Sequence, residues 1–213
     1  YYTMCGGGWR AAEQWPVSDE RRTLFLTSAG GLGAEPPAPG TATYRVDPTV
    51  TSGEGSRWAA LYQNLAAPHK SGYGNRAAVS AKLLTFTGEP LPADLDITGH
   101  ARVRIPLASS EPEGALIVYL EEVAPDGAVR YVTEGVLRLS HRAVMSEPHY
   151  RDYGPVRSHR RADGLPMAPG RTETIELGLL PVSYRVPKGH RLRVAIAGGD
   201  AGNLRTLAGV PPV

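Results

Sequence analysis

The stretch ALIVYLEEVAPDGAVRYVTEGVLRLSHR, Ala115 to Arg142, decides the fold class. Leu116, Val118 and Leu120 alternate with Ile117, Tyr119 and Glu121, and Leu137 and Leu139 stand against Arg138 and Ser140. A period of two belongs to strands. Between the runs, Pro125 presets φ for a type I turn, Asp126 suits the next position, and Gly127 takes the left-handed conformation that completes a three-residue hairpin loop. Gly135 interrupts the return run, Ala128 to Arg142, and predicts a bulge or bend.

The same period recurs outward from this hairpin. Before it come Lys82 to Phe86, Asp94 to Thr98, and Ala101 to Leu107, where Arg102 and Arg104 oppose Val103 and Ile105 and Pro106 predicts an edge position or bulge. After it come Thr172 to Leu177, Val182 to Val186, and His190 to Ile196, the last two joined by Pro187-Lys188-Gly189. Short strands are also predicted for the opening YYTM, for Thr23 to Thr27 and for Thr41 to Val46. Ser28 to Gly40 reads as a loop and Thr49 to Ser80 as irregular, with a hint of helix around Trp58 to Leu65. Ala143 to Gly170, with three Pro and many charges, reads as a long surface connection. Many short strands with 25 Gly and 19 Pro in 213 residues fit one all-β sandwich domain, a jelly roll, over 1–213.

A net charge of +2 offers no case for a nucleic-acid partner, and no run of 18 apolar residues suggests a membrane span. The single Cys5 excludes an internal disulfide and reads as a small buried apolar residue. No signal-peptide pattern is visible, so a cytoplasmic, bacterial setting is the expectation. The opening YYTMCGGGW reads like a chain cut within something longer.

Motifs for chemistry are absent: no Gly-x-Ser-x-Gly elbow, no phosphate loop, no His-Glu-x-x-His and no Cys pair. No cofactor or metal is expected. His141, His149 and His159 with Asp152 and Asp163 could supply ligands or an acid/base pair, but their spacing matches no ligand signature and reads as solvated loop histidines. His100 and His190, each after a Gly, read as satisfied turn residues. Arg102, Arg104, Arg138, Arg142, Arg191 and Arg193 fall on the polar sides of strands, with Arg157, Arg160 and Arg161 on the connection. They would grip an acidic partner if they share a face. An ordinary solvated face is favoured, because Glu121, Glu122, Glu134 and Glu176 sit where they pair across strands. Trp9, Trp15, Trp58, Tyr62 and Tyr73 form either a sugar-stacking platform or, more often for such residues, the seal of a domain junction.

YRVDP (Tyr44 to Pro48), LPADLDITG (Leu91 to Gly99), VAPDG (Val123 to Gly127), TEGVLRLSHR (Thr133 to Arg142) and VPKGHRLRVAI (Val186 to Ile196) come in an order and spacing that, with Trp9 to Pro16, resembles the C-terminal domain of the X-prolyl dipeptidyl-peptidase and CocE/NonD serine hydrolases. The resemblance spans nearly the whole chain. It implies a jelly-roll β-sandwich similar to galactose-binding modules, packed on an α/β-hydrolase domain that carries the Ser, Asp and His of the triad. No catalytic position maps onto this sequence. Two departures stand out: the chain stops at Val213, where the family continues into a final strand, and Asn75-Arg76-Ala77 stands where relatives tend to carry an Arg and an acidic residue.

Three functional readings follow, in order. The first is a non-catalytic module of an ester or X-Pro peptide hydrolase, its partner the α/β-hydrolase domain, its junction residues 1–22, its candidate interface residues Trp9, Trp15 and Trp58, with homo-oligomers a further expectation. The second is a free-standing carbohydrate- or ligand-binding module. The third is an enzyme in its own right, using His149 or His159.

Overall fold

The central turn closes as its residues require. Ala124 N donates to Ala128 O at 2.8 Å, Gly127 N donates to Ala124 O at 2.9 Å, and Gly127 stands at φ 85°. The computed structural model describes residues 1–18, 20–53, 55–57, 72–148, 150 and 153–204. Within them the strands are β1 (Tyr2–Thr3), β2 (Gly8–Trp9), β3 (Phe25–Leu26), β4 (Gly31–Gly33), β5 (Leu84–Gly88), β6 (Leu95–Gly99), β7 (Arg102–Leu107), β8 (Ala115–Val123), β9 (Val129–Arg138), β10 (Glu173–Gly178), β11 (Val182–Val186) and β12 (Arg191–Ala197). A short helix, α1 (Ala77–Ser80), precedes β5.

A six-stranded sheet runs β3-β4-β5-β12-β8-β9, antiparallel except where β4 meets β5. Two antiparallel pairs, β6 with β11 and β7 with β10, form the facing layer. Phe86, Leu116, Val118, Leu120, Leu192 and Ile196 from the six-stranded sheet share one apolar cluster with Ile175, Leu177, Val182, Tyr184 and Val186 from that layer. The fold is an all-β sandwich, as the alternation predicts.

The other face of the six-stranded sheet is covered too. Ile117, Tyr119, Ala195 and Ala197 are buried there against Val50, Leu83, Val79 and Leu204. That roof comes from segments without strand periodicity, which is why alternation alone reads this face as polar and solvated.

Several boundaries depart from expectation. The return strand ends at Arg138, and Leu139–His141 is a 3₁₀ turn. Gly31–Gly33, read as loop, is a strand that occupies the free edge of β5. Thr41 to Val46, read as a strand, makes no ladder, and Cys5, read as buried, is exposed. The hint of helix around Trp58 to Leu65 lies outside the described residues. Residues 153–170 of the long connection carry no strand, yet Val156 and Met167 are buried against the sandwich.

Gly135 is not the bulge. It pairs in regular register with Val118, while the slip falls one turn of the ladder earlier: Leu120 pairs with Thr133 and Glu121 with Tyr131, leaving Val132 as the extra residue. Gly135 is bare because the facing layer comes close, and a Cβ there would lie 2.6 Å from Gly178 O and 2.8 Å from Leu179 Cδ2. Next to it, Leu180 N donates to Glu134 O at 2.9 Å and Thr133 Oγ1 donates to Leu180 O at 2.8 Å, which stitches the layers together. Gly135→Ala should therefore destabilise the domain by about 1–3 kcal/mol through overpacking, read as a lowered urea midpoint at unchanged m-value.

Candidate functional site

The first sixteen residues form a short hairpin held on the β11 edge. Tyr2 pairs with Trp9 and Thr3 with Gly8 across β1 and β2. Met4 N then donates to Ser183 O and Arg185 N to Met4 O, so the chain runs on beside β11. Thr3 is fully buried, its hydroxyl 2.9 Å from Ser183 Oγ, which is in turn 2.9 Å from Thr98 Oγ1. Arg10 and Arg185 both bind Asp96 at 2.8 Å, and the Arg185 hydrogen bond, with help from Arg10, holds the Asp96 carboxyl down to about 2.

With Thr3 turned inward, the alternate residues face out. Tyr2 is 50% exposed, Met4 40% and Trp9 82%, and the Tyr2 and Trp9 rings meet edge to face with centroids 5.5 Å apart. Together they form one exposed apolar patch on a hydrogen-bonded hairpin. Trp15 behaves differently. Its Nε1 donates to His100 Nε2 at 2.8 Å, its carbonyl accepts from Tyr153 Oη at 2.7 Å, and its ring meets Tyr1 edge-on. Trp15 clamps the segment to the β6–β7 turn, Trp9 stands open, and Trp58 lies outside the described residues.

Beneath the roof of the six-stranded sheet is a buried charge network. Arg76 and Glu121, both fully buried, join Nε to Oε1 at 2.8 Å, and Ser80 Oγ donates to the second Glu121 oxygen at 2.6 Å. The Arg76 guanidinium lies 4.1 Å from the centroid of Tyr119, a cation–π contact. Ser52 and Asp200 complete the ring around the Tyr119 hydroxyl, which burial pushes up to about 12. Alongside, Tyr73 stacks on Tyr131 at 3.9 Å and donates to Glu134 Oε1 at 2.8 Å. The Val132 bulge makes this possible, since strict alternation would send Tyr131 and Glu134 to opposite faces. Burial is the main reason the Glu134 carboxyl is raised above its ordinary value, with the Tyr73 hydrogen bond opposing, and Glu134 Oε2 and Arg76 Nη2 have no hydrogen-bond partner.

On the core side, fully buried Glu122 accepts Arg130 Nη1 at 2.6 Å and Tyr184 Oη at 2.5 Å, with His190 Nδ1 at 2.5 Å. His190 and His100 are satisfied turn residues, as read from sequence. His141 and His159 approach with ring centroids 5.7 Å apart, and Asp163 accepts Ser158 Oγ at 2.6 Å. His149 and Asp152 lie outside the described residues, among which no group of three metal-ligating side chains comes together. No described helix is long and apolar enough to cross a membrane.

The strand arginines do not share one face. Arg138 binds Glu113, Arg142 binds Glu173 through two bonds of 2.6 and 2.9 Å, and Arg104 lies 3.6 Å from Glu176. Arg102 donates to Tyr153 O and Arg157 to Glu176 O. Cross-strand pairing holds for Glu176 and Glu122, whereas Glu121 and Glu134 are buried under the roof. Among the described residues the aromatics do not gather into one platform: Tyr73 is stacked on Tyr131 and Trp15 is clamped on His100, while Trp58 and Tyr62 lie outside the described residues. Asp200 carries no strand-like pattern and is missed by sequence reasoning, which names Tyr73 and Arg76 but not their buried roles. The nearest signal is the two consecutive carboxylates Glu121-Glu122 at the end of an apolar strand.

A family model described as X-Pro dipeptidyl-peptidase C-terminal non-catalytic domain matches residues 1–203. The chain belongs to this family. A Mycobacterium bovis protein that carries the provisional name serine esterase is 39% identical over the whole of this chain, and a Streptomyces avermitilis protein provisionally named a Xaa-Pro dipeptidyl-peptidase is 25% identical over 90% of it. The chain spans about a third of the length of these relatives, 34% and 30%. Among solved structures, an aminopeptidase from a Thaumarchaeota archaeon superposes with a TM-score of 0.75 at 18% identity, over 99% of this chain and 36% of that one. A CocE/NonD family hydrolase from Staphylococcus aureus gives 0.64 at 14%, over 100% of this chain and 35% of that one. These likenesses are of fold.

Two measurements test the network. Arg76→Met leaves Glu121 buried without its cation and should cost about 3–5 kcal/mol in urea unfolding, with Arg76→Met/Glu121→Leu recovering most of it. The second concerns Glu134. A carboxyl whose folded-state pKa lies above its unfolded value contributes fully below the unfolded pKa, and that contribution is lost as pH rises through the folded one. Stability should therefore carry a component that falls as pH rises from the ordinary 4.5 of Glu134. Glu134→Gln keeps an acceptor for Tyr73 and should abolish that component in melts between about pH 4 and 8.

Proposed function

We propose that this chain is the C-terminal sandwich of a longer serine hydrolase of the CocE/NonD type, acting on acyl esters or X-Pro peptides. It breaks no bonds itself. It supports the α/β-hydrolase domain and one wall of the substrate entrance, and residues 1–22 are the junction. The observation that carries this reading is the apolar face of Trp9, Tyr2 and Met4, standing on a hairpin whose reverse side is tied to β11. Trp and Tyr on a rigid support are the residue types that anchor interfaces. The relatives' extra length supplies the partner. Trp15 serves this face indirectly, by fixing where the hairpin sits.

The first test is chemical. Incubated with a fluorophosphonate probe, an aryl ester and a Gly-Pro anilide, the folded 213-residue chain should show neither labelling nor turnover; labelling at a defined serine would overturn the proposal. The second uses the full-length enzyme. Trp9→Ser with Tyr2→Ser should weaken domain docking by roughly 2 kcal/mol or more, seen as faster limited proteolysis between the domains and a loss of kcat/KM. In the isolated chain the same exposed substitutions should leave the melting profile nearly unchanged, within about 0.5 kcal/mol. Full-length behaviour identical to wild type would show that the partner docks elsewhere.

A further inference from the structure

Among the described residues the roof over the six-stranded sheet ends at Glu121, and beyond it the sheet carries a shallow groove open to solvent. Its floor is β12. Arg191 and Arg193, two residues apart on one strand, both line it, and Val123, Ala124, Pro125 and Pro90 supply apolar walls. The cross-strand neighbour of Arg193 is Glu121, but both Glu121 oxygens are taken, one by Arg76 and one by Ser80. Among the described residues Arg193 makes a single hydrogen bond, Nε to Thr87 Oγ1 at 2.9 Å, and no carboxylate of theirs lies within ion-pair distance of it. Arg191 donates to Gly88 O at 2.9 Å and reaches Glu89 at only 3.4 Å, and that carboxylate is 95% exposed, a surface pair of little strength. Asp126, at the hairpin tip, is turned onto the Ala128 amide instead of the groove.

We propose that this groove binds small carboxylate ligands with an apolar body, the carboxylate on the free guanidinium edges of Arg193 and Arg191 and the body against Pro90, Val123 and Pro125. A guanidinium fork matches a carboxylate in geometry and charge. The chemistry disfavours other ligands. No aromatic ring lines the groove to stack a sugar, and two guanidiniums repel a cation. The site stands apart from Trp9 and Tyr2, so it holds or fails independently of hydrolase docking.

The experiment titrates the full chain with 3-phenylpropionate, followed by amide chemical shifts, with 3-phenylpropionamide as the uncharged control. Saturable binding with a Kd of about 1 mM or tighter is expected, with shifts centred on residues 87–90, 123–127 and 189–193. The amide should bind at least about tenfold more weakly, and Arg193→Gln should weaken 3-phenylpropionate binding by about tenfold at unchanged circular dichroism. Arg191→Gln is the second variant, so that a folding defect in one leaves the other informative. No saturation by about 10 mM, equal binding of the amide, or binding unchanged in both variants would overturn the proposal.

Discussion

Two carboxylates in succession, Glu121 and Glu122, constrain this sandwich more than any other pair of residues. They lie near the end of β8, between β12 and β9 in the six-stranded sheet, and because successive side chains point to opposite faces, one enters the roof side and the other the core side. Neither is exposed at all. An ionised carboxylate in such a place is tolerable only when cations and hydrogen-bond donors meet it. Arg76 and Ser80 meet Glu121, and Arg130, His190 and Tyr184 meet Glu122. The partners come from α1 and the turn before it, from the return strand, and from β11 and the turn that follows it. Satisfying two neighbouring residues thus fixes the positions of three separate pieces of chain.

The roof follows from this. Residues 47–53, 55–57, 72–83 and 200–204 have little regular structure to hold them, yet they cover Tyr119, Ile117 and Ala195. Side-chain bonds of long sequence separation tie them down: Ser52 N to Asp200, Ser56 to Asn203, Arg76 to Glu121, Tyr73 to Glu134. Such a layer depends on its polar groups for placement and on its few apolar contacts for net stability. One donor of Arg76 and one oxygen of Glu134 remain unbonded, so the network is tight but not complete.

This division explains what was legible in the sequence. The hairpin announced itself because alternation, Pro125 and Gly127 are local signals, and Arg191 and Arg193 could be placed on one face of β12 by counting in twos. Gly135 was noticed for the wrong reason, since a close approach by Gly178 and Leu179 comes from another strand and leaves no mark in its own neighbourhood. The true bulge falls at Val132, an ordinary strand residue. The buried role of Glu134 depends on that bulge and on a tyrosine 61 residues away, and no short-range rule links them. Of the aromatic residues singled out, Trp9 and Trp15 look alike in sequence and differ in space only because His100 and Tyr153 lie beside the second.

A module of this construction is stiff where a partner would meet it. Trp9 and Tyr2 stand on a hairpin whose other side is pinned by the Thr3, Ser183 and Thr98 hydroxyls, by Arg10 on Asp96 and by Trp15 on His100. Anchors already held in place lose little conformational freedom on docking, so more of their buried area appears as affinity. The same stiffness suits a domain that performs no chemistry, because an active site is sensitive to the placement of the walls around it on a scale of about 1 Å. Glu122 therefore acts at a distance from the patch: through Tyr184 it ties the six-stranded sheet to β11, the strand on which the exposed hairpin is hung.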